Sequence, residues 1–394
     1  MNREYRGEPI AIIGASYLQA PLIKAAKARG LTTHVFAWKC DDIGEQLADC
    51  FHPISIVENE QILEACMLER VCGVCSIASD LAERTVSFVA SNMGLIGNSW
   101  DTINLRTNKH IMRDTFSKMG DPSPKSIAVG PEDDPGHAVN SNGLAYPLIV
   151  KPTDRSGSRG VAKVGSEEVL RDAVMCALDE SFESRAVIEE YIPGNEYSVE
   201  CLVHKGLYKV LAITEKRTTG APHFIETGHI QPAILPNMLV EKVTRIVCHA
   251  LKSLQIQEGA AHAEVKISGE DVKIVEIGAR MGGDCIGSHL VPISTGIDYV
   301  GAVIDIAMGH DPDLEPISSP EFAAVSFFFD ETQDEMMGRV RRDPEVDLVD
   351  YVVMKSLNSR ETISDSSTRN GCIVIKSNNR KALEKYIYLT DKRA

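Results

Sequence analysis

The segment HAEVKISGEDVKIVEIGARMGGD carries Glu264 and Glu276 on two apolar runs joined by Ser268-Gly269-Glu270-Asp271, with Arg280 following among glycines. These flanks read as a β-hairpin, and opposed residues of an antiparallel pair share a face. The glutamates are twelve residues apart, so they oppose each other only if the connecting loop has an odd number of residues. A two-residue turn would send them to opposite faces. Facing each other within about 5 Å, two carboxylates repel unless a cation bridges them, and Mg²⁺ favours such oxygen donors. The competing reading is a solvated hairpin with scattered glutamates.

Two further stretches carry chemistry. In PLIVKPTDRSGSRGV, Lys151 closes an apolar strand, and Ser156, Gly157, Ser158 and Gly160 follow in a loop. Glycines let backbone N–H groups approach phosphate oxygens, and a lysine beside them adds positive charge. The lysine precedes the glycines, so this is not the strand–loop–helix phosphate loop; the alternative is a hairpin with a flexible tip. In VIEEYIPGNEYSVE, Glu189-Glu190 end a strand and Glu196 begins the next, where a carboxylate can accept both hydroxyls of a ribose.

These groups need a frame. PIAIIGAS, TTHVFAW, VCGVCSIAS and LIGN read as strands, with LIKAAKARG, ENEQILEACMLER and LAERTVSFVASNMG as helices between them. Apolar strands alternating with amphipathic helices predict a parallel sheet covered on both faces. Its first turn, Gly14-Ala15-Ser16, lacks the G-x-G-x-x-G spacing, and Trp38 stands where a dinucleotide site wants an acid. That turn either touches substrate or is merely tight. Beyond Trp100, DTINLRTNKHIMRDTFSKMG reads as helical, and PEDDPGHAVNSNG as a connection with some helix. AYPLIVKPTDRSGSRGVAKVG and RAVIEEYIPGNEYSVECLVHKG each read as strand–turn–strand, with the helix SEEVLRDAVMCALDES between them. A long unassigned segment runs to His229, followed by the helix NMLVEKVTRIVCHALKSLQI. The tail holds the strands FAAVSFFF, LVDYVVMK and GCIVIKS and the helix NRKALEKYIYL. The expected domains are 1–98, an N-terminal α/β unit; 99–312, with a nucleotide-binding lobe from about 120 to 190 and a catalytic lobe from about 190 to 312; and 313–394, a small C-terminal α+β region.

Composition narrows the function classes. The 394 residues are 43% hydrophobic and 25% charged, with a net charge of −15. That charge argues against a nucleic-acid or anionic-membrane surface. No apolar run reaches the length of a membrane span, and MNREYRGEPIAIIGAS lacks a signal-peptide pattern, so a cytoplasmic protein is expected. The ten cysteines are scattered, with one C-x-x-C at Cys72 and Cys75; packing, rather than a metal or redox role, is expected of that pair.

In order, a lysine on the helix after the first domain, a strand lysine with a Gly-rich loop, E-E-Y-I-x-G-x-E and paired glutamates on a terminal hairpin resemble the ATP-grasp superfamily. The resemblance covers most of the chain and implies an N-terminal pre-ATP-grasp domain, then two lobes that sandwich ATP. It implies that Lys109 and Lys151 contact ATP phosphates and that the loop 154–160, with Ser156, Gly157, Ser158 and Gly160, closes over them. Glu189 and Ile192 would present backbone groups to adenine, with Glu190 beside them, and Glu196 would hold the ribose. Glu264 and Glu276 would carry Mg²⁺, or Mn²⁺ in its place.

The commonest ATP-grasp pattern has asparagine two residues after the second glutamate; here that position is Gly278. E-I-G-A-R-M-G-G is similar to the L-amino acid ligase group, which joins two amino acids into a dipeptide. Glu226 and His229 of FIETGHIQP match the group's E-x-G-H element, which faces the amino-acid pocket. The match implies that Arg280 neutralises a phosphorylated carboxylate and that Gly282 lines the substrate pocket. Lys216 and Arg217 are either a further phosphate contact or a solvated basic pair. His262 alternates with Glu264 and receives no role. The resemblance thus implies an ADP-forming carboxylate–amine ligase in which Arg280, Glu276 and Lys151 are catalytic; its substrates would be amino acids, and the chain could form a homodimer. The alternatives are another carboxylate–amine or carboxylate–thiol ligase, such as one of purine synthesis, and a nucleotide-binding protein without turnover. A nicotinamide oxidoreductase would need cofactor binding at Gly14.

Overall fold

The structure is a computed structural model that describes residues 3–221, 224–329, 333–353, 366 and 369–387. The apolar runs of the N-terminal region form β1 (Pro9–Ile13), β2 (Thr32–Phe36), β3 (Cys50–His52) and β4 (Gly73–Cys75), all parallel, in the order β3-β2-β1-β4. Ile10, Ile12 and Ile13 are fully buried, as a strand covered on both faces requires. The expected strand at LIGN is absent, and the fourth strand is instead β3. Its three residues, Cys-Phe-His, are too few to show alternation.

Four strands of the next lobe, β5 (Ser126–Val129), β6 (Leu148–Pro152), β7 (Ala162–Val164) and β8 (Ala186–Glu190), pair antiparallel in the order β5-β8-β6-β7. The rest of the chain builds one eight-stranded sheet. Its members are β9 (Asn195–His204), β10 (Leu207–Thr218), β11 (Glu226–Gln231), β12 (Gly259–Ser268), β13 (Asp271–Gly278), β14 (Phe322–Phe328), β15 (Asp347–Val353) and β16 (Gly371–Ser377). The order β13-β12-β9-β10-β11-β14-β16-β15 makes the C-terminal strands a continuation of the sheet that carries the paired glutamates. The segment left unassigned before His229 holds β10, whose LYKVLAITEKRT lacks a clean alternation. Residues 354, 355, 388 and 389 of the expected tail elements lie outside the described residues.

Tyr191–Gly194 is therefore not a hairpin tip: it carries the chain from one sheet to the other. Gly194 has φ 111°, and a Cβ there would strike the Ile267 carbonyl, so only glycine lets this crossing lie against β12.

The N-terminal sheet is fastened to this frame through the helix Tyr299–Ala307, whose residues are all buried. Arg29 holds Asp298 at 2.7 Å and Asp305 at 2.9 Å, and the Tyr5 hydroxyl donates to Asp305 at 2.9 Å. Among the described residues no single helix is long and apolar enough to cross a membrane.

Candidate active site

Strands β12 and β13 pair through Ser268 and Asp271, leaving the two-residue turn Gly269-Glu270. That turn alone would set Glu264 and Glu276 on opposite faces. A register shift between Glu264 and Val265 leaves Val275 as an extra residue on β13, and beyond it Glu264 stands directly opposite Glu276. The pairing expected from an odd loop is thus produced by a bulge. Val275 is used as well: its carbonyl accepts from Arg113, which also holds the buried Glu189 at 3.0 Å.

A cleft of about 170 Å³ lies between the two sheets, with Ile149, Tyr191, Ile192, Phe224 and Val275 on its apolar wall. Lys151 and Glu189 face each other across β6 and β8 at 3.0 Å. Burial pushes the Lys151 ammonium below its usual value in spite of Glu189; burial would raise the Glu189 carboxyl, but Arg113 and Lys151 outweigh it and hold it low. Glu189 itself sits inside the ladder, in register with Ser126 and Ile149, and lines the cleft. Lys109 is the first residue of the helix Lys109–Met119, which Asn108 caps by accepting from His110 and Ile111. Its ammonium reaches Glu276 at 2.8 Å. Lys216 is buried, 2.8 Å from Glu196, 2.5 Å from Glu264 and 3.8 Å from Glu226. Burial alone would lower its pKa; the carboxylates raise it well above the usual value. The solvated-pair reading of Lys216 is overturned by this burial. Ser156, Gly157 and Ser158 line the cleft with Glu190, whereas Gly160 is a positive-φ turn packed on Pro152.

A second cavity of about 910 Å³ opens beside the first. Asp80, Lys216, Glu226, His262, Glu264 and Arg280 line both, so the two spaces meet at Glu264 and the arginine, with Glu276 on the cleft side. Glu226 accepts from Ser366, and His229 Nε2 lies 3.2 Å from Asp284, which Arg369 also grips. The Asp284 carboxyl, despite burial, is held far below its usual value by Arg369 and His229. The His229 Nδ1 atom is buried with no hydrogen-bond partner among the described residues. Ser16 and Tyr17, just past the Gly14 turn, form part of the same wall.

Gly282 does not face this cavity; Gly283 does. A Cβ on Gly282 would run into Glu200 and His262. Glu200 is fully buried, accepts from the Gly282 N–H at 3.0 Å and pairs with His262 Nδ1, while His262 Nε2 lies 3.6 Å from Glu264. The glycine thus makes room for a carboxylate–imidazole pair that ties the glutamate strand to the loop after Arg280.

The profile of the ATP-grasp domain family matches residues 144–288. That span contains the Gly-rich loop, the crossing at Tyr191–Gly194 and both opposed glutamates.

Residues 144–288 form an ATP-grasp domain.

Alanine–anticapsin ligase of Bacillus subtilis is 27% identical over 311 residues, covering 70% of this chain and 65% of that protein. Carnosine synthase 1 of Gallus gallus is 22% identical over 343 residues, covering 80% of this chain and 36% of its own. The chain therefore spans less than two thirds of these relatives. The whole fold is that of a crystal structure of L-amino acid ligase from Bacillus licheniformis, with a TM-score of 0.81, 21% identity and 98% of each chain covered. A crystal structure of phosphoribosylglycinamide synthetase from Anaerococcus prevotii is also similar, with a TM-score of 0.75 and 20% identity, covering 96% of each chain.

Several residues that shape the site were missed in the sequence. Asp80, Arg113, Glu200, Asp284 and Arg369 lie in ordinary-looking helices, strands and loops, and their roles come from partners distant in sequence. Glu200 could have been suspected, as a glutamate in an otherwise apolar strand run. The Cys72/Cys75 pair is split: Cys72 is exposed, and burial pushes the Cys75 thiol up to about 12, which leaves it unreactive.

Proposed function

We propose that this chain is an ATP- and Mg²⁺-dependent ligase that activates a carboxylate as an acyl phosphate and couples it to an amine, with amino acids as substrates and ADP and phosphate as products. One observation carries the reading: the cleft with the lysines and Glu276 and the cavity with His229 share a wall made by Lys216, Glu226, Glu264 and Arg280. A phosphate chain lying in the cleft would end where a second substrate enters.

The donor set fits Mg²⁺. Glu264 and Glu276 are hard oxygen donors on one face, and each already faces a lysine, so the site is built to balance positive charge against these carboxylates. Bound there, Mg²⁺ would offset phosphate charge. Lys109 and Lys151 would hold the phosphates, and Glu196 the ribose hydroxyls, with adenine against the apolar wall that includes Ile192. Glu226 and His229 would orient the amino-acid substrate. Its carboxylate oxygen attacks the terminal phosphorus in line, the bond to ADP breaks, and Arg280 and Lys151 stabilise the charge spread over the transferring group. The amine nitrogen then attacks the acyl carbon, and inorganic phosphate departs with the former carboxylate oxygen. The Ser156–Gly160 loop would exclude water while the acyl phosphate exists. The limits 1–98, 99–312 and 313–394 remain our division of the chain.

With an accepted carboxylate labelled by ¹⁸O, one label should appear in the released phosphate. Unlabelled phosphate would sink the acyl-phosphate step.

A further inference from the structure

Arg280 does not stand free in the cavity. Asp80, the first residue of the helix Asp80–Met93 in the N-terminal region, grips it through Nε–Oδ1 at 2.7 Å and Nη2–Oδ2 at 2.8 Å. This two-pronged pairing fixes a guanidinium in plane and direction, which a single contact does not. Ser79 caps the helix by accepting from the Ala82 N–H at 3.2 Å, so the carboxylate projects from a set position.

The chain around Arg280 is shaped for this partner. A Cβ at Gly278 would lie 2.7 Å from Asp80 Oδ1 and 3.3 Å from Arg280 Nε. Gly278 has no positive φ, so its backbone does not demand glycine; the space beside it does. Asp80 comes from the N-terminal region and Arg280 from the loop after β13, two elements that meet only in the folded chain. Burial works to lower the Arg280 pKa, yet Asp80, with smaller help from Glu276 and Glu264, raises it. The arginine is therefore within the field of both opposed glutamates.

We propose that Asp80 is a positioning residue that holds Arg280 toward the substrate cavity and off Glu264 and Glu276, with Gly278 keeping the place open for the pair. The inference rests on reading the two glutamates as the metal carboxylates. Without Asp80, the guanidinium, which lines the cleft together with Glu264 and Glu276, turns onto these anions and competes with the divalent cation for the same oxygens. The N-terminal region thus contributes directly to the ATP-grasp site rather than merely adjoining it.

The test is Mg²⁺-dependent binding of a fluorescent ADP analogue to the full chain, which needs no knowledge of the other substrates. Asp80→Ala should raise the Mg²⁺ concentration for half-saturation by about tenfold, within the usual range of coupling between sites. Adding Arg280→Gln to Asp80→Ala should bring it back to within about twofold of the wild type. Gly278→Ala, which changes no charge, should raise it several-fold alone and have no effect in the double variant. A role in fold stability alone would lower the melting temperature and leave the Mg²⁺ dependence unmoved, and removing Arg280 would not rescue it. The proposal is overturned if Asp80→Ala keeps the wild-type Mg²⁺ dependence, if the second substitution fails to restore it, or if Gly278→Ala is silent. Wild-type protein that binds the nucleotide without any Mg²⁺ dependence would overturn the metal reading as well.

Discussion

The nucleotide cleft and the adjoining cavity are made in different ways. The cleft takes nearly all its charged groups from residues 149–280, and Lys109, Lys151 and Lys216 each have a carboxylate partner on another element, while Lys266 lies over the Tyr191 ring. The cavity is assembled from segments far apart, including residues 16–24, 226–229, 283–289 and 350–353, with Ser366 and Arg369. In the cleft, geometry follows from strand register. In the cavity, it follows from how three regions dock. The first kind of site survives small shifts of the domains and the second does not, so substitutions in the two places should fail in different ways.

The largest effect is expected in the cleft. Glu276→Gln keeps the side chain's shape and removes one anionic oxygen donor, and ATP-dependent phosphate release should fall by about 10²–10³-fold. Glu226→Gln, in the wall that both spaces share, should raise the amino-acid KM more than it weakens nucleotide binding. If both variants change the nucleotide and amino-acid constants alike, the two spaces are not functionally distinct.

A pH experiment sharpens the comparison at the cavity's far end. Burial works to lower the His289 pKa, but Asp350 and Cys285 outweigh it and bring the imidazole up to about 9 from 6.5. A raised folded pKa means the stabilisation is complete below pH 6.5 and is lost as pH rises through about 9. A shift of this size corresponds to about 3 kcal/mol, and the lowered Asp350 pKa is the same contact counted from its other partner. Urea unfolding at pH 6 and pH 9 should therefore show a loss that His289→Asn largely removes. An unchanged pH slope in that variant would show that the docking of β15 against the cavity does not depend on this pair.

The smallest effect concerns the link between the two spaces. Gly282→Ala pushes against Glu200 and His262 and should raise the amino-acid KM about tenfold, with nucleotide affinity nearly unaltered. Equal losses in both would place Gly282 in the cleft's own machinery.

Much of the cleft was legible in the sequence because its residues recur at short intervals on strands. Lys151, Glu196, Glu264 and Glu276 all lie where a pattern of strand, loop and strand puts them. The bulge at Val275 was not legible, since one extra residue in a strand leaves no compositional trace. Lys216 was read two ways because β10 shows no clear alternation, and only burial decides for the paired state. The parallel sheet followed from the alternation of strands and helices, yet β3 was too short to be seen and LIGN was apolar without being a strand. Asp80, Asp284 and Arg369 could not be read at all. Each is an ordinary polar residue until tertiary packing supplies its partner.

The measurement that tests the ligase reading most directly is phosphate release from ATP over a matrix of amino-acid and other amine pairs, with mass spectrometry of the products. The account predicts that at least one pair raises phosphate release well above ATP alone, and that the product mass equals the two substrates less one water. Phosphate release that no pair raises above the ATP-only rate would contradict it.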